Sequence, residues 1–194
     1  MAAYVLIHGA ADSGWYWHLL EAELRNRGHD VVAPVLPCDD DSAGLSEYAA
    51  TAVDAIGDRT GLVVVAQSFG GFTAPLVCER VPVDLLVLMA GMVPLPGEPP
   101  GDWWANTGYE QTRREQDERD GTAPDDDIAL FLHDVPPDLA AEALRRHART
   151  VILLAVRADA AVGLGQSGEG QGGDGEGDGE AQHVGSPGVV HWRF

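Results

Sequence analysis

Lysine is missing from this 194-residue chain: its 12 basic residues are all arginine, set against 31 acids. That excludes a Schiff-base lysine, a phosphate-gripping P-loop lysine and a lysine general base. The formal net charge of −19 repels phosphate backbones and anionic lipid, so neither nucleic acid nor a membrane surface is expected as a partner. Cysteine is scarce too. Cys38 and Cys78 are far apart and have no metal-ligand spacing, so they read as reduced, partly buried side chains, with no metal and no other cofactor expected. A long apolar run is absent from the start of the chain. Ala3 to Ile7 is a five-residue stretch with no basic residue before it, ended by His8 and Gly9. It reads as a strand and not as a leader, and a cytoplasmic location is expected.

What is present fits one globular domain with a real core, at 45% hydrophobic residues. The first 90 or so residues alternate short β-branched runs with helical patterns, the signature of βαβ units and a parallel sheet. The runs are Ala3 to Ile7, Asp30 to Pro34, Leu62 to Gln67 and Leu85 to Ala90. Between them Trp17, Leu20 and Leu24 repeat at helical spacing before Gly28, and Tyr48, Ala49, Ala52, Val53 and Ile56 do so before Gly57. A third helix is expected from Gly70 toward Val81. Residues 1–91 form the expected α/β core.

From Met92 the character changes. Pro94, Pro96, Pro99 and Pro100 break regular structure, and Trp103, Trp104 and Tyr109 add aromatics. Residues 92–150 read as a helical cap insertion, with helices expected at Glu110 to Asp120, Asp125 to Leu132 and Pro136 to Arg149. Val151 to Val156 is the candidate fifth strand, and 151–162 the last strand and loop of the core. Residues 163–194 are rich in glycine and acids, with too little apolar area to offset ordering, and disorder is expected there.

The chemically informative segment is Val63-Val64-Val65-Ala66-Gln67-Ser68-Phe69-Gly70-Gly71, a buried strand running through a serine into a helix. In a nucleophile elbow the serine sits on a strained strand-to-helix turn, which needs small residues two before and two after it. Ala66 and Gly70 meet that need. A bland alternative is that Ser68 merely caps the helix. A second signal weighs against it: His8-Gly9-Ala10-Ala11 follows the first strand, where an oxyanion-hole loop belongs. Such a hole needs two backbone N–H donors, and Ala10 and Phe69 are the candidates. A doubly wound strand order 2-1-3-4-5 sets strands 1 and 3 side by side and brings both loops to one crevice. His8 is expected to fix the turn beside Ala10.

The segments YVLIHGA, SGWYWHLL and AQSFGG resemble the α/β-hydrolase family, in particular its methylesterase and hydroxynitrile-lyase branch with bacterial esterase relatives. The resemblance covers about residues 3–150 and implies an α/β-hydrolase fold, a mostly parallel doubly wound sheet with a helical cap. It implies a serine carboxylic-ester hydrolase with Ser68 as nucleophile, Ala10 and Phe69 as oxyanion donors, and a small apolar ester as substrate. The lyase branch carries a threonine where Gly9 stands and a lysine near its histidine, so the resemblance favours ester hydrolysis.

Later in the chain the pattern departs from the family. Asp159 is the candidate acid and His191 the candidate base, with His183 a weaker choice inside the glycine-rich run. The change near Thr150 has the character of a shifted reading frame or an early terminus, giving a C-terminally truncated fold. Truncation would leave the fifth strand as a bare edge, from which self-association is expected. Two other readings stay open: a non-catalytic small-ligand-binding protein that keeps the elbow without a base, and a flavodoxin-like nucleotide binder. The second lacks a glycine-rich phosphate loop after strand 1.

Overall fold

The computed structural model describes residues 1–123, 127–146 and, as backbone, 189–192. Its sheet has the order β2-β1-β3-β4-β5, with β1 Ala3–Ile7, β2 Asp30–Val32, β3 Leu62–Gln67, β4 Leu85–Met89 and β5 Val189–Trp192. The first four strands run parallel, and β1 lies between β2 and β3 as the alternation of runs and helices requires. The fifth position differs from expectation. It is taken by Val189–Trp192, which runs antiparallel to β4 with Val87 opposite His191. Two adjacent β-branched residues, Val189 and Val190, favour the extended backbone there despite the glycine-rich stretch before them. The expected strand Val151–Val156 lies outside the described residues.

Side chains of each strand alternate between two layers. Val5, Ile7, Leu62, Val64 and Ala66 face a large core shared with α2, Leu45–Ile56, and α3, Gly70–Cys78. Leu6, Val31 and Val65 face a smaller one built with Trp17 and with Leu20 and Leu24 of α1, His18–Asn26. Helix α2 starts where the Glu47 carboxylate accepts the Gly44 N–H at 2.8 Å, which satisfies one otherwise orphaned amide. Both cysteines are free thiols. Burial pushes the Cys78 thiol up to about 11, so it stays protonated and inert.

The cap follows β4. Its prolines do not exclude a helix, as the sequence had implied; they start one. Helix α4 spans Pro100–Asn106, with Pro100 in its first turn, where a missing N–H costs nothing. Trp103 and Trp104 pack against the large core, and Trp103 Nε1 donates to the Val93 carbonyl at 3.1 Å. Helices α5 Tyr109–Asp120, α6 Asp127–Phe131 and α7 Pro137–Arg146 complete it. The stacked Trp15–His18 pair lies on the core side, and the Arg146 guanidinium stands 4.8 Å from the Trp15 ring, joining α7 to the core. Among the described residues no helix is long and apolar enough to cross a membrane.

Helix α5 is charged almost throughout, yet Asp117 is buried. The Arg113 guanidinium grips that carboxylate with both Nε, at 3.0 Å, and Nη2. Arg113→Ala leaves a buried carboxylate without its cation and is expected to lower unfolding free energy by about 1–3 kcal/mol, less than for a fully dry pair. Urea melts of the two proteins check it, and an unchanged midpoint would show that water solvates Asp117.

Candidate active site

The strand β3 ends at Gln67 and α3 begins at Gly70, which leaves two residues to turn the chain. Ser68 makes that turn at φ 50°, the left-handed region that costs an L-residue about 1–2 kcal/mol. The bend is stabilised on both sides. The Ser68 N–H donates to the Met89 carbonyl at 3.1 Å, and the Ser68 carbonyl accepts from Gly71 at 3.0 Å and Met92 at 2.9 Å. Ser68 itself is only partly buried. Small neighbours are a steric requirement: a Cβ on Gly70 would lie 3.0 Å from the Ile7 carbonyl oxygen and 3.1 Å from that of His8.

The loop after β1 reaches the same place. A Cβ on Gly9 would overlap Gln67 Oε1 and come within 3.1 Å of the Ser68 Cβ, so the loop passes directly over the elbow. Ala11 adopts φ 60° and is buried, which turns Ala10 outward to an exposed position. Among the described residues the amides of Ala10 and Phe69 donate to no backbone carbonyl in these loops. Phe69 opens α3, and its ring stacks on Phe72 with centroids 5.3 Å apart and meets Tyr48 edge-on. The elbow is thus anchored from below by aromatic packing.

His8 holds the loop in place. It is fully buried; its Nδ1–H donates to the Gly9 carbonyl at 2.8 Å, and its Nε2 accepts the Leu36 N–H at 3.1 Å. Those two bonds define a neutral tautomer. Desolvation lowers the imidazole below its ordinary value, against a smaller upward pull from the Gly9 bond, and keeps it uncharged. His8 therefore supports the site without being available as a base.

Of the two remaining candidates, the structure describes His191 as backbone alone, and Asp159 lies outside the described residues. The backbone register sets His191 level with Val87 and Val65, two strands away from β3 and three residues short of Ser68 along it. At strand spacings of about 4.8 Å and a rise of about 3.3 Å per residue, that is a separation of roughly 14 Å. A general base must come within about 3 Å of the proton it takes, which this backbone separation does not by itself provide. His183 lies outside the described residues. Among the described residues no histidine bonds the Ser68 side chain.

The mostly parallel sheet, the left-handed serine between strand and helix, and the neighbouring loop after β1 are the architecture of the α/β-hydrolase class. The sequence profile of the Alpha/beta hydrolase family matches residues 4–172, and the chain belongs to that family. Among curated proteins it is similar to norfluorocurarine synthase 1 from a Strychnos species, 29% identical over 60% of this chain and 48% of the relative. It is similar as well to a carbendazim hydrolyzing esterase from Nocardioides sp. (strain SG-4G), at 31% over 50% and 45%, and to methylesterase 9 from Arabidopsis thaliana, at 27% over 52% and 44%. The chain spans about half the length of the curated relatives it matches. Among solved structures, polyneuridine aldehyde esterase matches with a TM-score of 0.50 at 23% identity, over 57% of this chain and 48% of that one, which supports the fold.

Proposed function

We propose that this chain is a serine carboxylic-ester hydrolase whose nucleophile is Ser68. The observation that carries the reading is the left-handed backbone at Ser68, strain that a merely helix-capping serine, with its extended backbone, does not need. In this reading Ser68 Oγ attacks the ester carbonyl, and the amides of Ala10 and Phe69 receive the developing oxyanion. The ester C–O bond breaks and the alcohol departs carrying the proton lost by Ser68; water then adds to the acyl carbon, releasing the acid and returning a proton to Ser68 Oγ. Relatives named as esterases support a small ester as substrate, with Trp103 and Trp104 of the cap as candidate pocket residues. The acidic surface favours neither nucleic acid nor anionic membrane as a partner, and a cytoplasmic, self-associating protein belongs to the same reading.

A second reading is favoured by one observation, the absence of a histidine bonded to Ser68 among the described residues. In it the chain binds a small ligand at the elbow without turning it over. A fluorophosphonate probe and nitrophenyl acetate separate the two. Covalent labelling and turnover in the wild type, both lost in Ser68→Ala, support the hydrolase; equal background signals in both proteins support the binding protein.

A further inference from the structure

Both backbone groups of Ser68 are held by one short segment. The N–H donates to Met89 and the carbonyl accepts from Met92, so the two partners are three residues apart. Between them the chain turns through Ala90, itself at φ 43°, and Gly91. The segment encloses the elbow, with the last residue of β4 on one side and the first residue of the cap on the other.

The turn closes only because Gly71 has no side chain. A Cβ there would overlap the Met92 carbonyl oxygen and lie 2.9 Å and 3.0 Å from its carbon and nitrogen. Those are main-chain atoms of a buried residue, and they cannot rotate aside as the tip of a long side chain would. The same main chain continues to Val93, whose carbonyl takes the Trp103 indole N–H. Direct contacts therefore run from the Ser68 peptide into α4.

We infer that the Met89–Met92 turn is a positioning clamp that fixes the bend at Ser68, and that Gly71 is the positioning residue that permits it to close. The functional half of this inference rests on Ser68 being the nucleophile. With Gly71→Ala, Met92 is displaced, its bond to the Ser68 carbonyl is lost, and the hydroxyl is no longer held in line with an acyl carbon. Misplacement of that kind lowers the rate of the covalent step and leaves ligand affinity unchanged.

Two measurements test it. Amide hydrogen exchange on the wild-type protein reads the clamp itself and needs no variant to fold. Met92 is expected to exchange within about tenfold of the β3 core amides, and exchange at loop rates would overturn the clamp. Fluorophosphonate inactivation then compares wild type, Gly71→Ala and Leu76→Ala, the last a destabilising change on the same helix away from the turn. The expected result is a fall of at least about tenfold in the maximal inactivation rate for Gly71→Ala, with the half-saturating probe concentration unchanged and Leu76→Ala near wild type per folded molecule. Equal rates in Gly71→Ala and wild type would overturn the positioning role. A wild-type protein that does not label at Ser68 overturns the hydrolase reading instead, and the exchange measurement still decides the clamp.

Discussion

Ser68→Gly is expected to be more stable than Ser68→Ala while both lose ester turnover. At most sites glycine is the worse choice, since its unfolded chain has more freedom to lose, by about 0.5–1 kcal/mol relative to alanine. At φ 50° the order reverses, because alanine keeps the left-handed penalty of about 1–2 kcal/mol and glycine does not. The net expectation is that the glycine variant unfolds at a free energy about 0.5–1 kcal/mol above the alanine variant, a shift of roughly 1–4 °C for a chain of this size. The loss of activity is far larger. Removing the nucleophile of a complete serine triad costs about a millionfold in turnover, leaving about 10³–10⁴ over water from oxyanion donors and binding. A wild type already working without a base would show a much smaller drop, so the size of the loss also reports whether a base is present. Thermal melts and nitrophenyl acetate assays on the three proteins give both numbers.

His8→Ala is expected to be the most damaging single change to the first loop. It removes a fully buried ring and leaves the Leu36 N–H and the Gly9 carbonyl without their partner. Each orphaned buried group costs about 1–3 kcal/mol, so a total of about 2–6 kcal/mol is expected before any cavity cost is added. His8 also gives stability a pH dependence of definite sign. Its folded value is lowered, so above the ordinary value of about 6.5 neither state holds the proton and its full contribution is present. As pH falls below that value the unfolded chain takes up a proton that the folded chain refuses. Stability then declines by up to about 1.4 kcal/mol per pH unit until the folded imidazole titrates. Urea melts between pH 7.5 and 5.0 should show this slope in the wild type and a shallower one in His8→Ala. Parallel slopes would mean that His8 does not carry the effect.

The parts of this structure that were legible in the sequence are those set by local pattern. Ala3–Ile7 and Leu62–Gln67 are dense β-branched runs with sharp ends, and both strands have the expected limits. The elbow was legible because small residues flank a serine where strand pattern gives way to helix pattern, and the first loop because His-Gly-Ala-Ala follows a strand. The conformation at Ser68, Ala11 and Ala90 was not, since a left-handed alanine or serine is imposed by tertiary contacts and not by its own preference. Helix α4 was missed because four prolines were read as breakers, whereas Pro99 and Pro100 stand at its start. The Met89–Met92 turn pairs residues more than twenty positions from Ser68, and its sole local trace is the second glycine of Gly70-Gly71. The placement of Val189–Trp192 beside β4 is equally nonlocal: its composition favours a strand, but no spacing specifies direction or register.

Everything functional depends on a serine oxygen lying where two main-chain amides converge. The direct measurement is a crystal structure of the protein after reaction with a small phosphonate ester. The account predicts phosphorus bonded to Ser68 Oγ, with one phosphoryl oxygen within about 3 Å of both the Ala10 and Phe69 nitrogens. Phosphorus on another residue, or a Ser68 adduct whose oxygens meet neither amide, would contradict it.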